Sequence, residues 1–344
     1  MTEQKKDNYD NPLSATISGI TNLFRKHQQA GELKPGDRLD GKTVLVDGAS
    51  SGLGFAIATD CARRGAKVIM ACRSGIPDKG EKVKRLSGST DVHMLKVDFA
   101  EVGSVIKLAD EVRSRFGTVD ILISNAGVVP KKSRKTPQGF EEMFMVNYFS
   151  KFILVSLLLR NNSLKASGGK DCPRLIFVDS ETHRDPKKFE WEKFGIYEPY
   201  TIGKSMFHYG YNKLLLATFS VELSRRLNGM EGKEIASPEG TPAAGRTSFS
   251  VFTLCPGPIN SNIGREAPKI FHPLMKLIFS IFFRSPAKAA VPVIYLAASK
   301  DMEGRMFDYF FLMSRKPMGE LAADPENGKK LWELSENLFR SVVP

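Results

Sequence analysis

The chain has 344 residues, 42% of them apolar and 26% charged, the balance of a globular protein able to bury a large core. Four cysteines, Cys61, Cys72, Cys172 and Cys255, lie scattered without CxxC spacing, which argues against a metal site or a disulfide framework and for a reducing, cytoplasmic compartment. The net charge of +12 falls in separate groups (Lys82, Lys84 and Arg85; Lys131, Lys132, Arg134 and Lys135; Lys187 and Lys188) with no nucleic-acid-binding motif, so solvated loops and helix ends are expected and no nucleic-acid partner is.

Residues 1–40 read as a polar arm carrying one amphipathic helix. Asn11 before Pro12 suits an N-cap and first-turn pair, and Leu13, Ile17, Ile20 and Phe24 recur at helical spacing. That stripe is expected to dock on the core, with a membrane surface as the alternative. The first twelve residues lack the layout of a secretion signal. The longest apolar stretch, around 277–283, is far short of the roughly 20 residues that span a bilayer.

From Thr43 onward, short β-branched runs alternate with helical stretches. Strands are expected at 43–46, 67–72, 93–97, 120–124, 175–179, 248–254 and 309–313, with helices at 54–64, 104–116, 139–159 and 209–227 between them. Strands apolar on both faces and separated by helices indicate one α/β domain over 41–315: a doubly wound parallel sheet of about seven strands, helices on both faces. Three segments break the rhythm and are expected to be substrate loops: 183–206, 228–247 and 258–285, the last holding an apolar helix at 274–283 between Pro273 and Pro286. Residues 316–344 read as a helical tail.

The segment TVLVDGASSGLGFAIA runs from a strand into a helix through Gly48, Gly52 and Gly54. Glycine there permits a tight turn, lets backbone approach a phosphate and lets the helix pack on its strand. The helix N-terminus then offers free N–H groups and a positive dipole end to a pyrophosphate, so Gly48, Ser50, Ser51, Gly52, Leu53 and Gly54 are expected to hold a dinucleotide. An acid at the end of the second strand would select a ribose 2′-hydroxyl; this chain has Arg73 there, which suits a 2′-phosphate and favours NADP(H).

A second pattern lies further on. Protonating a carbonyl oxygen calls for an acid, and a phenol near pKa ~10 becomes usable when a neighbouring ammonium favours its ionised form. Tyr209 and Lys213, four apart and followed by the apolar stripe Leu216, Phe219, Leu223 and Leu227, share one helical face. Tyr200 with Lys204 repeats the spacing, but Pro199, Gly203 and the lack of an apolar continuation disfavour a helix there.

These motifs together resemble the short-chain dehydrogenase/reductase family. The glycine spacing is GxxxGxG, Asn125, Ala126 and Gly127 follow the fourth strand as in the family's NAG motif, and Pro256 and Gly257 follow the sixth. The resemblance covers about 40–315, and the context of Arg73, the distance from Ser180 to Tyr209 and the apolar segment before Ser285 are most similar to the retinol-dehydrogenase-like members. It implies a Rossmann-type fold and four catalytic groups: Tyr209, Lys213, Ser180 on the substrate oxygen, and Asn147 holding a water behind Lys213. It also implies Asp98 on the adenine and Ser261 near the nicotinamide amide. His183 reads as a polar loop residue.

Two departures stand out. Asp47 replaces the family's threonine, and its carboxylate would repel a pyrophosphate unless it hydrogen-bonds backbone across the turn. Asp179 stands where the family prefers serine or a small residue. The expected function is NADP(H)-linked interconversion of a carbonyl and an alcohol on a lipophilic substrate, with a cofactor-binding scaffold of little turnover as the alternative. A homodimer and a peripheral membrane contact through 13–24 or 270–283 stay open.

Overall fold

Runs such as Val44-Leu45-Val46 and Leu175-Ile176-Phe177, apolar on both faces, leave water only when helices cover both sides of the sheet. The computed structural model, which describes residues 29–167, 171–233, 247–258 and 284–344, shows that arrangement. The strands are β1 (Thr43–Asp47), β2 (Lys67–Cys72), β3 (Val92–Lys96), β4 (Ile121–Ser124), β5 (Arg174–Val178), β6 (Ser250–Cys255), β7 (Phe307–Phe311) and β8 (Ser314–Lys316). They form one sheet in the order β3-β2-β1-β4-β5-β6-β7-β8. Every pairing is parallel except that of β7 with β8. This antiparallel eighth strand goes beyond the seven read from the sequence. It is three residues long, too short for an alternation signal, and the reversal into it passes through Leu312 at φ 57°.

The helices are α1 (Gly52–Arg63), α2 (Asp78–Ser87), α3 (Val102–Phe116), α4 (Glu142–Arg160), α5 (Ile202–Leu227), α6 (Pro286–Ala298) and α7 (Pro325–Val342). Val44, Val46 and Ile123 pack with Ile57 of α1 and Val293 of α6 on one face. Leu45, Leu122, Leu175 and Phe177 pack with α3, α4 and α5 on the other. Between β1 and β4 the chain reverses its direction of travel across the sheet, and the crevice at their carboxyl ends is where such folds take ligands.

Helix starts differ from expectation for tertiary reasons. The helix read at 139–159 begins at Glu142, because the Glu141 side chain accepts from the Met143 and Phe144 N–H groups. Within it, Met145–Phe149 form a π turn. The helix read at 209–227 begins at Ile202 and includes the disfavoured Gly203 and Lys204. Ser205 anchors it by donating to the Pro130 carbonyl at 2.7 Å, and Gly210 lets it approach the Thr182 carbonyl. Glu142–Arg160 is long and apolar enough to cross a membrane, yet most of it is buried inside the fold. The arm helix at 13–24, Ser261 and the apolar helix at 274–283 lie outside the described residues.

Helix α7 packs on α4 and α5, with Trp332 5.3 Å from Phe152 and 6.1 Å from Phe219, ring centre to ring centre. Tyr148 hydrogen-bonds Ser335, whose hydroxyl also donates to the Leu331 carbonyl. Because Ser335 keeps that second partner, Tyr148→Phe is expected to lower stability by only about 1 kcal/mol in urea unfolding. A loss several times larger would mean that the hydroxyl supports more than this one contact.

Candidate active site

The glycine turn is built on contacts that exclude side chains. Gly48 has φ +64°, and a Cβ there would stand 2.9 Å from Ala126 Cα; one on Gly54 would stand 2.4 Å from the Gly48 carbonyl oxygen. Gly52 opens α1 after an exposed Ser51 whose side chain makes no capping bond, and the first turn carries no acid. The helix therefore presents its free N–H groups at the end of β1. Ser50 is half-buried beside it, and Leu53 is anchored in the core.

Asp47 is fully buried and does not face an uncompensated repulsion. Its Oδ1 accepts from the Asn125 N–H at 2.6 Å and from the Ala126 N–H, and its Oδ2 accepts from the Ser124 hydroxyl at 3.0 Å. Lys151 of α4, also buried, donates to Oδ2 at 3.1 Å. These partners come from β4, the loop after it and α4, not from across the glycine turn as the sequence suggested. Asn125 completes the tie, its side-chain amide donating to the Asp47 carbonyl at 3.1 Å. Lys151 also stands 4.2 Å from the centre of the Phe99 ring. Burial pushes the Lys151 ammonium down and Asp47 pulls it back up.

Arg73 is exposed at the end of β2 and has no hydrogen bond or ion pair among the described residues. Asp98 follows β3; its Oδ1 accepts from the Ala100 N–H at 3.0 Å, and its own N–H donates to Ser104. Gly127 follows Ala126 and would bring a Cβ to 3.5 Å from Asn147 Oδ1. Pro256 and Gly257, the latter at φ +75°, follow β6.

The second group gathers at the carboxyl ends of β4, β5 and β6. Tyr209 and Lys213 lie on α5, and Lys213 Nζ stands 5.7 Å from the centre of the Tyr209 ring. Nζ donates to the Val178 carbonyl at 2.8 Å, which holds the ammonium against the end of β5. Ser180 follows β5 and accepts from the Thr182 N–H. Burial raises the Tyr209 phenol, Asp179 raises it further, and hydrogen bonding with Ser180 opposes both. Burial lowers the Lys213 ammonium while Asp179 raises it. Asn147 sits in the π turn and clasps the Val128 backbone, donating to its carbonyl at 2.9 Å and accepting from its N–H at 2.8 Å. The competing pair is separated: Tyr200 donates to Glu141 Oε1 at 2.9 Å and stacks on His208, while Lys204 is exposed.

A profile of the short chain dehydrogenase family matches residues 42–189. Over 91% of this chain and 90% of its own length, mouse retinol dehydrogenase 14 is 32% identical. The chain belongs to the short-chain dehydrogenase/reductase family. It falls with the retinol-dehydrogenase-like members: human retinol dehydrogenase 13 is 30% identical over 97% of this chain and 96% of its own. Among solved structures, an uncharacterised protein from Mycobacterium Paratuberculosis has a TM-score of 0.64 at 26% identity, covering 93% of this chain and 100% of its own. The RhlG/NADP complex of Pseudomonas aeruginosa shares the fold, with a TM-score of 0.58 at 21% identity over 81% of this chain and 98% of its own.

A short-chain dehydrogenase/reductase binds a nicotinamide dinucleotide, and this chain's own features fit one. Two glycines whose side chains would collide, Gly48 and Gly54, line the cradle, a helix N-terminus is uncapped, and an exposed arginine stands at the end of β2. Two features of the site were missed in the sequence. Lys151, the partner of Asp47, gives one signal only, a lone cation at the head of the apolar run FILVSLLL. His183 is buried rather than a polar loop residue. It lies in the single 3₁₀ turn Glu181–Arg184, with Nδ1 2.7 Å from the Ser180 carbonyl oxygen, and burial pushes its imidazole down to about 4.

Proposed function

We propose that this oxidoreductase uses NADP(H) to interconvert a carbonyl and an alcohol on a lipophilic substrate. The observation that carries the reading is the convergence of Tyr209, Lys213 and Ser180 at the carboxyl edge of the sheet that also ends in the glycine cradle. In this reading Gly48, Ser50, Ser51, Gly52, Leu53 and Gly54 hold the pyrophosphate. Asp98 lies at the adenine, while Asn125, Ala126, Gly127, Pro256 and Gly257 border the remaining cofactor surface. When bound, the nicotinamide donates or accepts the hydride. Tyr209 gives its phenolic proton to the carbonyl oxygen in reduction and takes it back in oxidation. Ser180 orients that oxygen, Lys213 supplies positive charge beside the phenol, and Asn147 fixes the loop after β4 behind them.

The lipophilic character rests on the names of the relatives and on surface chemistry. Ile202, Met206 and Phe207, all within the two turns before Tyr209, are 63%, 48% and 55% exposed. The scaffold alternative drew on Asp47 and Asp179; Lys151 matches the charge of the first, while the carboxylate of the second has no hydrogen-bond partner. NADPH consumption over a panel of hydrophobic aldehydes and ketones tests the reading; cofactor binding with no turnover on any of them would favour the scaffold.

For the cofactor, Arg73 is the residue that supports NADP(H). Arg73→Ala is expected to weaken NADPH binding by roughly 10- to 100-fold, as for loss of a charge-assisted contact, and to leave NADH binding nearly unchanged. Equal weakening of both cofactors would remove the assigned role.

A further inference from the structure

Asp179 follows Val178 at the end of β5, and its N–H donates to the Leu254 carbonyl at 2.7 Å. Leu175 and Phe177 face the layer of α4 and α5, so strand alternation turns Asp179 toward α5, which carries Tyr209 and Lys213. The residue is only 4% exposed, and neither carboxylate oxygen has a hydrogen-bond partner. Other buried carboxylates of the described residues behave differently. Asp37 accepts from the Lys34 N–H, and Asp47, Glu141, Glu222 and Asp308 each accept from at least two donors. A buried carboxylate without donors is destabilising, so its presence calls for a purpose.

We propose that Asp179 is a positioning residue for Tyr209: its carboxylate, buried beside Lys213, offsets that ammonium and holds Tyr209 as the proton-carrying phenol to higher pH than Lys213 alone would allow. The inference rests on the reading of Tyr209 as the acid of the site.

The surrounding charges leave Lys213 as the group that Asp179 opposes. Tyr209 and Lys213 face it from α5. His183, Glu181 and Arg184 face it from the 3₁₀ turn, Cys255 from the end of β6 and Tyr309 from β7; Lys151 and Asp47 act on Lys213 from α4 and β1. His183 Nδ1 is 3.4 Å from Asp179 Oδ2, but burial keeps this imidazole neutral through the ordinary pH range, so it adds no charge. Glu181 is engaged by the Tyr309 hydroxyl and by Lys316 at 3.2 Å. Lys151 is matched by Asp47. An ammonium favours phenolate, and a carboxylate beside it disfavours phenolate. Burial pushes the Asp179 carboxyl up to about 7, so its negative charge develops as pH rises through neutrality, and that charge adds to burial in raising the Tyr209 phenol.

The native state therefore keeps a proton at Asp179 that the unfolded chain has released, so stability falls as pH rises from the ordinary carboxylate range to about 7, and the full cost of the buried charge is present above it. Asp179→Asn and Asp179→Ser remove that burden, so both are expected to fold. The test is the pH profile of kcat/KM for NADPH-dependent reduction of a hydrophobic aldehyde, in the wild type and both variants. The alkaline limb is expected to move to lower pH by about one unit or more, with the acid plateau unchanged, because Asp179 is uncharged there already. Alkaline titration of tyrosinate by ultraviolet difference absorbance, referenced to Tyr209→Phe, is expected to move in the same direction and needs no turnover. A limb and a titration that stay in place in both variants, or a uniform loss of rate at every pH, would overturn the proposal. Full activity in Tyr209→Phe would instead remove the reading of the site, whatever the titration shows.

Discussion

Asp47→Ala is expected to lower folding stability by about 3–5 kcal/mol, because it strands the Lys151 ammonium in the core. Three further donors, the Asn125 and Ala126 N–H groups and the Ser124 hydroxyl, lose their acceptor at the same time. A change of that size is a large part of the ~5–15 kcal/mol that holds an average domain folded. Urea unfolding measures it. Pairing Asp47→Ala with Lys151→Met should recover much of the loss, since the second change removes the uncompensated charge. A loss below about 1 kcal/mol would mean that the buried pair does not hold the glycine turn to β4 and α4.

Tyr209→Phe is expected to lower turnover of a hydrophobic aldehyde with NADPH by about a hundredfold or more, the usual range for removing a positioned general acid. The ring stays in place, and the hydroxyl it loses is near Ser180 rather than in a core network. Folding and NADPH binding should change little, which separates loss of chemistry from loss of structure. Lys213 keeps its bond to the Val178 carbonyl in the variant, so the cation remains fixed. A variant that kept most of its rate would require another proton donor, and among the described residues His183 is not suited to that role because burial holds it neutral.

The parts of the protein legible in its sequence are those encoded by local rules. Gly48, Gly52 and Gly54 announce a turn that favours glycine, and the fold shows why: Gly48 and Gly54 make approaches that no side chain permits, and Gly52 takes φ +55°. Tyr209 and Lys213 follow from helical spacing, which local sequence records directly. The parallel sheet with helices on both faces follows from strands apolar on both faces. What stayed hidden depends on long-range packing. The partnership of Asp47 with Lys151 joins residues 104 apart in sequence, and nothing near Asp47 names its cation. The early start of α5 comes from Ser205 reaching Pro130 and from Gly210 lying on Thr182, contacts that override the poor propensity of Gly203. His183 sits among charged neighbours, Glu181, Arg184 and Asp185, so its burial follows only from where the 3₁₀ turn rests, against Gly319 and Tyr309.

The Asp47 result also bears on activity. A carboxylate tied to the loop after β4 fixes Asn125 and Ala126 relative to Gly48, and thus both walls of the cofactor crevice at once. Its substitution should therefore raise the NADPH dissociation constant along with its effect on stability.

Transfer of deuterium is the most direct measurement of the central claim. NADPH carrying deuterium at the transferable C4 position is mixed with the protein and a hydrophobic aldehyde, and the alcohol is analysed by mass spectrometry. Deuterium on the carbinol carbon with the wild-type protein, and almost none with Tyr209→Phe, is the predicted result. Tight NADPH binding with no deuterated alcohol from any aldehyde or ketone offered would contradict it.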